Sequence, residues 1–392
     1  MFQHLPGDWF DATLLGRLQT FAGPTPILVR SGRALDVAAF APTTSDFAAR
    51  WHGQESIRGS ELGDLGALGI VPAWDPASSS APLRLLSPLD LQCIKASGVT
   101  FATSAVERVI EERARGDARG AQMVRDSLQE RIGADIGSVK PGSVQASALK
   151  AALIAEGLWS QYLEVAIGPD AEIFTKAPVL SSVGWGDWIG VRSDSGWNNP
   201  EPEIVLVCDP AGRPFGATLG NDVNLRDIEG RSALLLGKAK DNNASCAIGP
   251  FIRLFDAHFT LDDVRESIVG LEVDGEDGFR LAGRSSMALI SRDPLELINQ
   301  TIGLDHQYPD GFALFLGTMF APVEDRDLPG RGFTHKPGDL VRVFSEKLGT
   351  LQNKVTACEE APRWEFGLSA LMHNLAARRL LEREHNSQNA AA

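Results

Sequence analysis

The chain has 392 residues, 43% of them hydrophobic, enough to bury a sizeable core in one large domain or two of medium size. Its formal net charge is -14 and its pI near 5.0, so it presents no general electrostatic footprint for nucleic acid or anionic lipid. The N-terminal MFQHLPGDWFDATLLG is no secretory signal, and no apolar run approaches the roughly 18 to 20 residues that span a bilayer.

In chain order, TLLGRL, TPILVR and RALDVA predict short strands separated by Gly-Pro and Ser-Gly turns. A stretch rich in Pro, Ala and Ser follows, PAWDPASSSAP at 72–82. We therefore expect a small β-rich N-terminal domain over 1–71, a linker over 72–85 and a main domain over 86–381. From Ser104 to about Ile136, Val106, Val109 and Ile110 fall at helical spacing among many charges. They predict an exposed amphipathic helix broken near Gly116 and Gly120. A second helix is predicted from Val144 to Trp159. EIVLVCD, ALLLG, SMALIS and FALFLG then read as strands between Gly, Pro and Asp turns, spaced for a large curved or rolled sheet and not for repeated βαβ units. FGLSALMHNLAARRLL predicts a last helix, with a disordered tail over 382–392. The expected class is α+β, rich in β. Cys93, Cys208, Cys246 and Cys358 lie far apart without a CxxC pair and read as reduced residues of a cytoplasmic protein.

The chain has no HExxH, GxSxG or GxxxxGK[ST] signature. Its informative segment is NNPEPEIVLVCD. Glu201 and Glu203 are one residue apart at the start of an apolar β-run, and residues i and i+2 of a strand share a face. Asp222, in GNDVNLRD, follows a second β-type run, and Lys240 follows in GKAKDNNASCAIGP. Three carboxylates without His or Cys suit a hard cation such as Mg²⁺ or Mn²⁺. Without one, each like-charge pair about 4 Å apart repels by on the order of 4 kcal/mol at an effective dielectric of 20.

At these residues the chain resembles the fumarylacetoacetate hydrolase superfamily, with motifs in the family's order over most of 86–381. GVTFATSAVE resembles its Gly-Leu-Asn-Tyr-x-x-His-x-x-Glu segment, EIFTKAPVLSSVGWGD its Phe-Phe-Lys-x-Pro-Ser stretch, and PEPEIVLV its Glu-x-Glu strand. NDVNLRD is similar to Asn-Asp-x-Ser-Ala-Arg-Asp, and KDNNASCAIGP to the Lys-Ser-Phe-x-x-Phe-x-Pro-x-Gly-Pro segment. FLGTMF, PGDLV and LGTLQN fit the family's last motifs. The resemblance implies a mixed β-roll, usually dimeric. It makes Glu201, Glu203 and Asp222 the ligands of Mg²⁺, with Mn²⁺ or Ca²⁺ as alternatives, Lys240 an active-site lysine, and Thr318 a holder of the substrate carboxylate.

Hydrolytic members place a catalytic His where this chain has Ser104, followed by Glu107. Serine alone is no general base at neutral pH. EIFTKA, with Glu172 and Lys176, instead resembles the branch that dehydrates 2-keto-3-deoxy sugar acids such as pentonates. The resemblance thus implies a hydro-lyase producing 2,5-dioxopentanoate, the alternative being a C–C hydrolase of 2,4-diketo acids that borrows His306 or His335. In the dehydratase reading Lys240, its pKa depressed by desolvation and a nearby cation, takes the C3 proton, and Glu172 protonates the departing C4 hydroxyl or positions a water that does, with the reverse assignment of the two roles left open; Ser104 and Lys176 contact substrate. Plainer readings pair Arg226 with Asp227, place Ser104 and Glu107 in a Ser-x-x-Glu capping box, leave His306 in a loop, and assign Trp185, Trp188 and Trp197 to the core.

Overall fold

The apolar runs of the N-terminal segment form β1 (Leu14–Thr20), β2 (Gly23–Arg30), β3 (Arg33–Asp36) and β4 (Ser60–Asp64), with helix α1 (Thr44–Arg50) between the last two. These and the following elements come from a computed structural model that describes residues 4–53, 57–80, 83–125, 136–137, 139–320 and 322–381. The expected tail at 382–392 lies outside the described residues. Next come β5 (Arg84–Leu86), β6 (Cys93–Gly98), helices α2 (Ala102–Arg113), α3 (Val144–Ala155) and α4 (Gln161–Ile167), and β7 (Glu172–Ala177). The remainder contains β8 (Trp188–Val191), β9 (Pro202–Cys208), β10 (Pro214–Asp222), α5 (Arg226–Glu229), α6 (Leu236–Lys240), β11 (Cys246–Leu254), α7 (Leu261–Glu266), β12 (Ile268–Asp274) and β13 (Arg280–Ser286). The last elements are α8 (Pro294–Thr301), β14 (Phe312–Phe315), β15 (Leu340–Ser345), β16 (Gly349–Ala357) and α9 (Leu368–Ala377).

The strands make two sheets. The larger runs β4-β3-β2-β1-β11-β10-β9-β14-β6-β7, with β5 also on β1, and the smaller runs β13-β12-β15-β16-β8. Pairing is antiparallel except at β14–β6 and β16–β8. The N-terminal strands thus extend the sheet that carries β9 and β10, through the β1–β11 pair. The architecture is α+β and β-rich, as expected.

The central strands are covered on both faces, which explains their unbroken apolar character. Every residue of β9 and β11 is buried. Along β9 the side chains alternate: Ile204, Leu206 and Cys208 join one core, while Val205 and Val207 join another. A third core lies between the helices, where Val106, Val109 and Ile110 of α2 meet Leu153 of α3 and Leu163 and Ile167 of α4.

Three local expectations fail. ALLLG is not a strand: Ser232 accepts from the Leu234 amide and starts a short 3-10 turn that continues into α6. SMALIS likewise ends β13 in a 3-10 turn over Met287–Leu289. Short apolar runs do not distinguish these conformations by periodicity. Nor is α2 an exposed helix, because its Glu107 and Glu111 are buried along with its apolar residues. Gly116 does end it, at φ +72°, whereas Gly120 sits inside a helical stretch at 118–125.

Candidate active site

β9 and β10 run antiparallel, with Gly220 opposite Glu203 and Asn221 opposite Pro202. The Asp222 amide donates to the Glu201 carbonyl at 3.0 Å, and the Glu201 amide to Asn221 Oδ1 at 3.1 Å. Glu201 and Glu203 therefore lie on one face with Asp222 as cross-strand neighbour. One oxygen from each carboxylate lies within 4.8 Å of the others, and the three residues are 5%, 3% and 2% exposed. That is an arrangement a hard divalent ion fits and water does not relieve.

Two lysines hold the cluster, Lys240 from the cavity side and Lys176 from behind. Lys240, brought in by the end of α6, donates to Glu201 Oε2 and, at 3.0 Å, to Asp222 Oδ2. Lys176, on β7 and fully buried, reaches Asp222 Oδ1 at 2.7 Å and the Val223 and Lys240 carbonyls. Burial opposes the charge on Lys240, but Asp222 and Glu201 more than offset it and raise its pKa. The depression expected from the sequence requires the charge of a bound cation, which would compete with the amine for the same carboxylate oxygens. Glu203 has no lysine. Burial, then repulsion from Asp222 and Glu201, pushes its carboxyl well up, although it accepts from the Gly317 amide at 2.6 Å. Gly317 offers that amide from φ +89°, a conformation suited to glycine.

The cluster opens on a cavity that Ser104, Glu172, Thr318 and Lys240 also line. Lys176 does not line it and lies behind Asp222. Ser104 is the third residue of α2. Its hydroxyl accepts from the Phe101 amide at 3.2 Å and donates to the Phe101 carbonyl at 2.8 Å. Glu107 takes no part in that cap. Thr318 Oγ1 accepts from the Phe320 amide at 3.1 Å. Burial raises the Glu172 carboxyl, against the pull of Arg108 and Lys240, and so favours a proton there. Among the described residues no histidine lines the cavity: His306 is exposed against Tyr308, and His335 is buried 3.3 Å from Asp339.

Sequence reasoning missed the ionic layer that α2 brings to this cavity. Arg108 donates to Glu201 Oε1 and, at 2.7 Å, to Glu111 Oε2, and forms an ion pair with Glu229 Oε2 at 2.8 Å. Arg226 bonds Glu111 at 2.7 Å and Glu107 at 3.0 Å, beneath the ring of Trp197. It does not pair with Asp227, which instead accepts from Ser195 Oγ and the Gly196 amide. The available signal was helical: Glu107 and Glu111, four residues apart, share the face of apolar Val106 and Ile110 more than a solvated helix allows. Seven carboxyl groups line the cavity, namely Glu107, Glu111, Glu172, Glu201, Glu203, Asp222 and Glu229. Arg108, Arg226 and Lys240 line it too, and Lys176 and Arg125 reach its carboxylates from behind. Truncating Arg226 to Met should destabilise the protein by about 3–5 kcal/mol in urea unfolding, because Glu107 and Glu111 lose a partner they cannot replace with water.

The metal-free protein should also have a signed pH dependence. Burial pushes Glu229 from 4.5 up to about 7. A carboxyl raised on folding binds its proton more tightly in the folded state, so stability is full below 4.5 and falls as pH rises toward about 7. Glu203 and Glu172, also raised, add to the same trend. In chelator, melting temperature should fall across this window, and Glu229→Gln should flatten the fall. A flat wild-type profile would contradict the assignment.

The architecture is that of the fumarylacetoacetate hydrolase fold. It is shared with a 2-keto-3-deoxyarabinonate dehydratase in a hexagonal crystal form, at TM-score 0.61 and 22% identity over 87% of this chain and 98% of that one. The same holds for 2-keto-3-deoxy-D-arabinonate dehydratase complexed with magnesium and 2,5-dioxopentanoate, at TM-score 0.59 and 23% identity over 88% and 99%. Fumarylacetoacetate hydrolase from psychrophilic Exiguobacterium antarcticum matches at TM-score 0.52 and 17% identity over 88% and 100%. In sequence the chain is similar to 2-dehydro-3-deoxy-D-arabinonate dehydratase of Saccharolobus solfataricus, 34% identical over 183 residues, which are 46% of this chain and 57% of that one. It is also similar to a probable 2-keto-3-deoxyxylonate dehydratase of Haloferax volcanii, 35% identical over 200 residues, or 50% and 63%. The matches thus span less than two thirds of either relative. No family model matches the chain. Among the described residues, no helix is long and apolar enough to cross a membrane.

Proposed function

We propose that the chain is a metal-dependent hydro-lyase that converts 2-keto-3-deoxy-D-pentonate to 2,5-dioxopentanoate. The observation that carries this reading is the convergence of buried Glu201, Glu203 and Asp222, with Lys240 and Glu172, on one cavity that no histidine among the described residues lines. The names of the relatives, and the magnesium and 2,5-dioxopentanoate in one fold neighbour, support it.

A hard divalent ion held by the three carboxylates supplies Lewis-acid stabilisation of the charge that grows on the C2 oxygen. With an ion taking the oxygens of Glu201 and Asp222, Lys240 would release its own proton to water and, as the neutral amine, take the C3 proton. Glu172, whose buried carboxyl favours a proton, gives it to the C4 hydroxyl, which leaves as water. The C3=C4 enone then moves a proton from C5 to C3, and the C4=C5 enol becomes the C5 aldehyde. Thr318 holds the substrate carboxylate, and Ser104 sits on the cavity wall where a hydrolase has its base. Lys176 acts from behind Asp222 and contributes charge, not contact. Residues 1–71 serve as an accessory unit whose strands extend the sheet.

The test offers the Mg²⁺-loaded protein both C4 epimers of 2-keto-3-deoxypentonate and an acylpyruvate, and follows aldehyde through a coupled semialdehyde dehydrogenase. Aldehyde from a pentonate is expected. Pyruvate with glycolaldehyde would indicate a retro-aldol lyase, and turnover of the acylpyruvate alone a C–C hydrolase; either outcome overturns the proposal.

A further inference from the structure

Gly98 ends β6 directly opposite Glu172, the first residue of β7, and both line the cavity. A glycine in a strand packs no side chain of its own, so its presence needs a reason. Backbone conformation is not the reason, since Gly98 is absent from the positive-φ residues. Space is. A Cβ on Gly98 would collide with Glu172 Oε2 and lie 2.7 Å from its Cδ and 3.3 Å from its Cγ. The three nearest atoms all belong to this one side chain. The Glu172 carboxyl therefore rests on the bare Cα of its cross-strand partner, turned toward the Arg108, Lys240, Glu201 and Asp222 charges that act on it.

From this we infer that Gly98 is a positioning residue: the missing side chain is the seat that holds the Glu172 carboxyl at the reacting carbons. The inference rests on the proposed dehydration, in which Glu172 is the proton donor. A methyl group at 98 displaces the carboxyl by about an ångström or more, a misplacement that costs on the order of 10²-fold in rate. Its three nearest neighbours are all atoms of Glu172 and none belongs to a metal-ligand carboxylate.

The experiment compares wild type, Gly98→Ala, Glu172→Gln and the double variant Gly98→Ala/Glu172→Gln. The readouts are turnover of 2-keto-3-deoxypentonate, Mg²⁺ affinity by calorimetry and melting temperature. Gly98→Ala is expected to lose about 10²-fold in kcat with unchanged Mg²⁺ affinity. Adding Glu172→Gln should then cost far less than it does alone, because the displaced acid contributes little. Full additivity, or a Gly98→Ala variant as active as wild type, overturns the inference while the dehydratase reading stands. A silent Glu172→Gln overturns both the donor role and the seat. Should Gly98→Ala fail to fold, Gly98→Ala/Glu172→Ala removes the collision. Recovery of folding and of wild-type Mg²⁺ affinity in that variant supports the seat, and persistent misfolding overturns it.

Discussion

Glu203→Gln should raise the melting temperature of the metal-free protein and at the same time abolish its stabilisation by Mg²⁺. The two effects have one cause. Glu203 is 3% exposed, receives one amide hydrogen bond and has no lysine of its own, while Asp222 and Glu201 repel it. At neutral pH the metal-free carboxyl avoids that repulsion only by taking up a proton on folding, at a cost that grows with pH. A neutral amide of the same shape escapes that cost while its carbonyl oxygen still accepts from Gly317. The same exchange removes one of three anionic ligands. Loss of outer partners alone typically costs 10–100-fold in metal affinity, so losing a ligand should cost more than about 10²-fold, with a comparable fall in turnover. Titration calorimetry and melting curves with and without Mg²⁺ read both halves. If Glu203→Gln destabilises the metal-free protein and leaves its Mg²⁺ response intact, the cluster is not an ion site.

How much of this was legible in the sequence follows from where each constraint lives. Strand periodicity is local, so Glu201 and Glu203 could be set on one face from two letters of spacing, and the structure places them there with Asp222 across the ladder. Their partners are not local. Arg108 meets Glu201 across 93 residues, and Arg226 meets Glu107 across 119. No periodic pattern reports such pairs, and a helix as charged as α2 looks solvated until its buried counter-charges are known. Lys240 was visible only through ordered motifs, because the ALLLG run leading to it reads as strand and folds as a 3-10 turn and helix. Lys176 was visible in the same way, but its place behind Asp222 depends on β7 sitting at the sheet edge beside β6.

Replacing Lys240 with Met should separate chemistry from metal binding. Turnover should fall by about 10²–10⁴-fold, the range for losing a positioned acid or base. Mg²⁺ affinity should not fall with it and should rise, because the amine now occupies Glu201 Oε2 and Asp222 Oδ2, two of the oxygens an ion needs. Removing a like charge from beside the ion acts in the same direction. The metal-free variant should also be less stable, since Glu201 and Asp222 lose a buried counter-charge, and Mg²⁺ should restore more stability to it than to wild type. A purely structural lysine predicts a different pattern, in which turnover returns with stability once Mg²⁺ saturates the site. Measuring kcat at saturating Mg²⁺, where both proteins are folded, decides between them. A variant that regains wild-type kcat under those conditions would remove Lys240 from the reaction and leave it as the internal cation of an ion site.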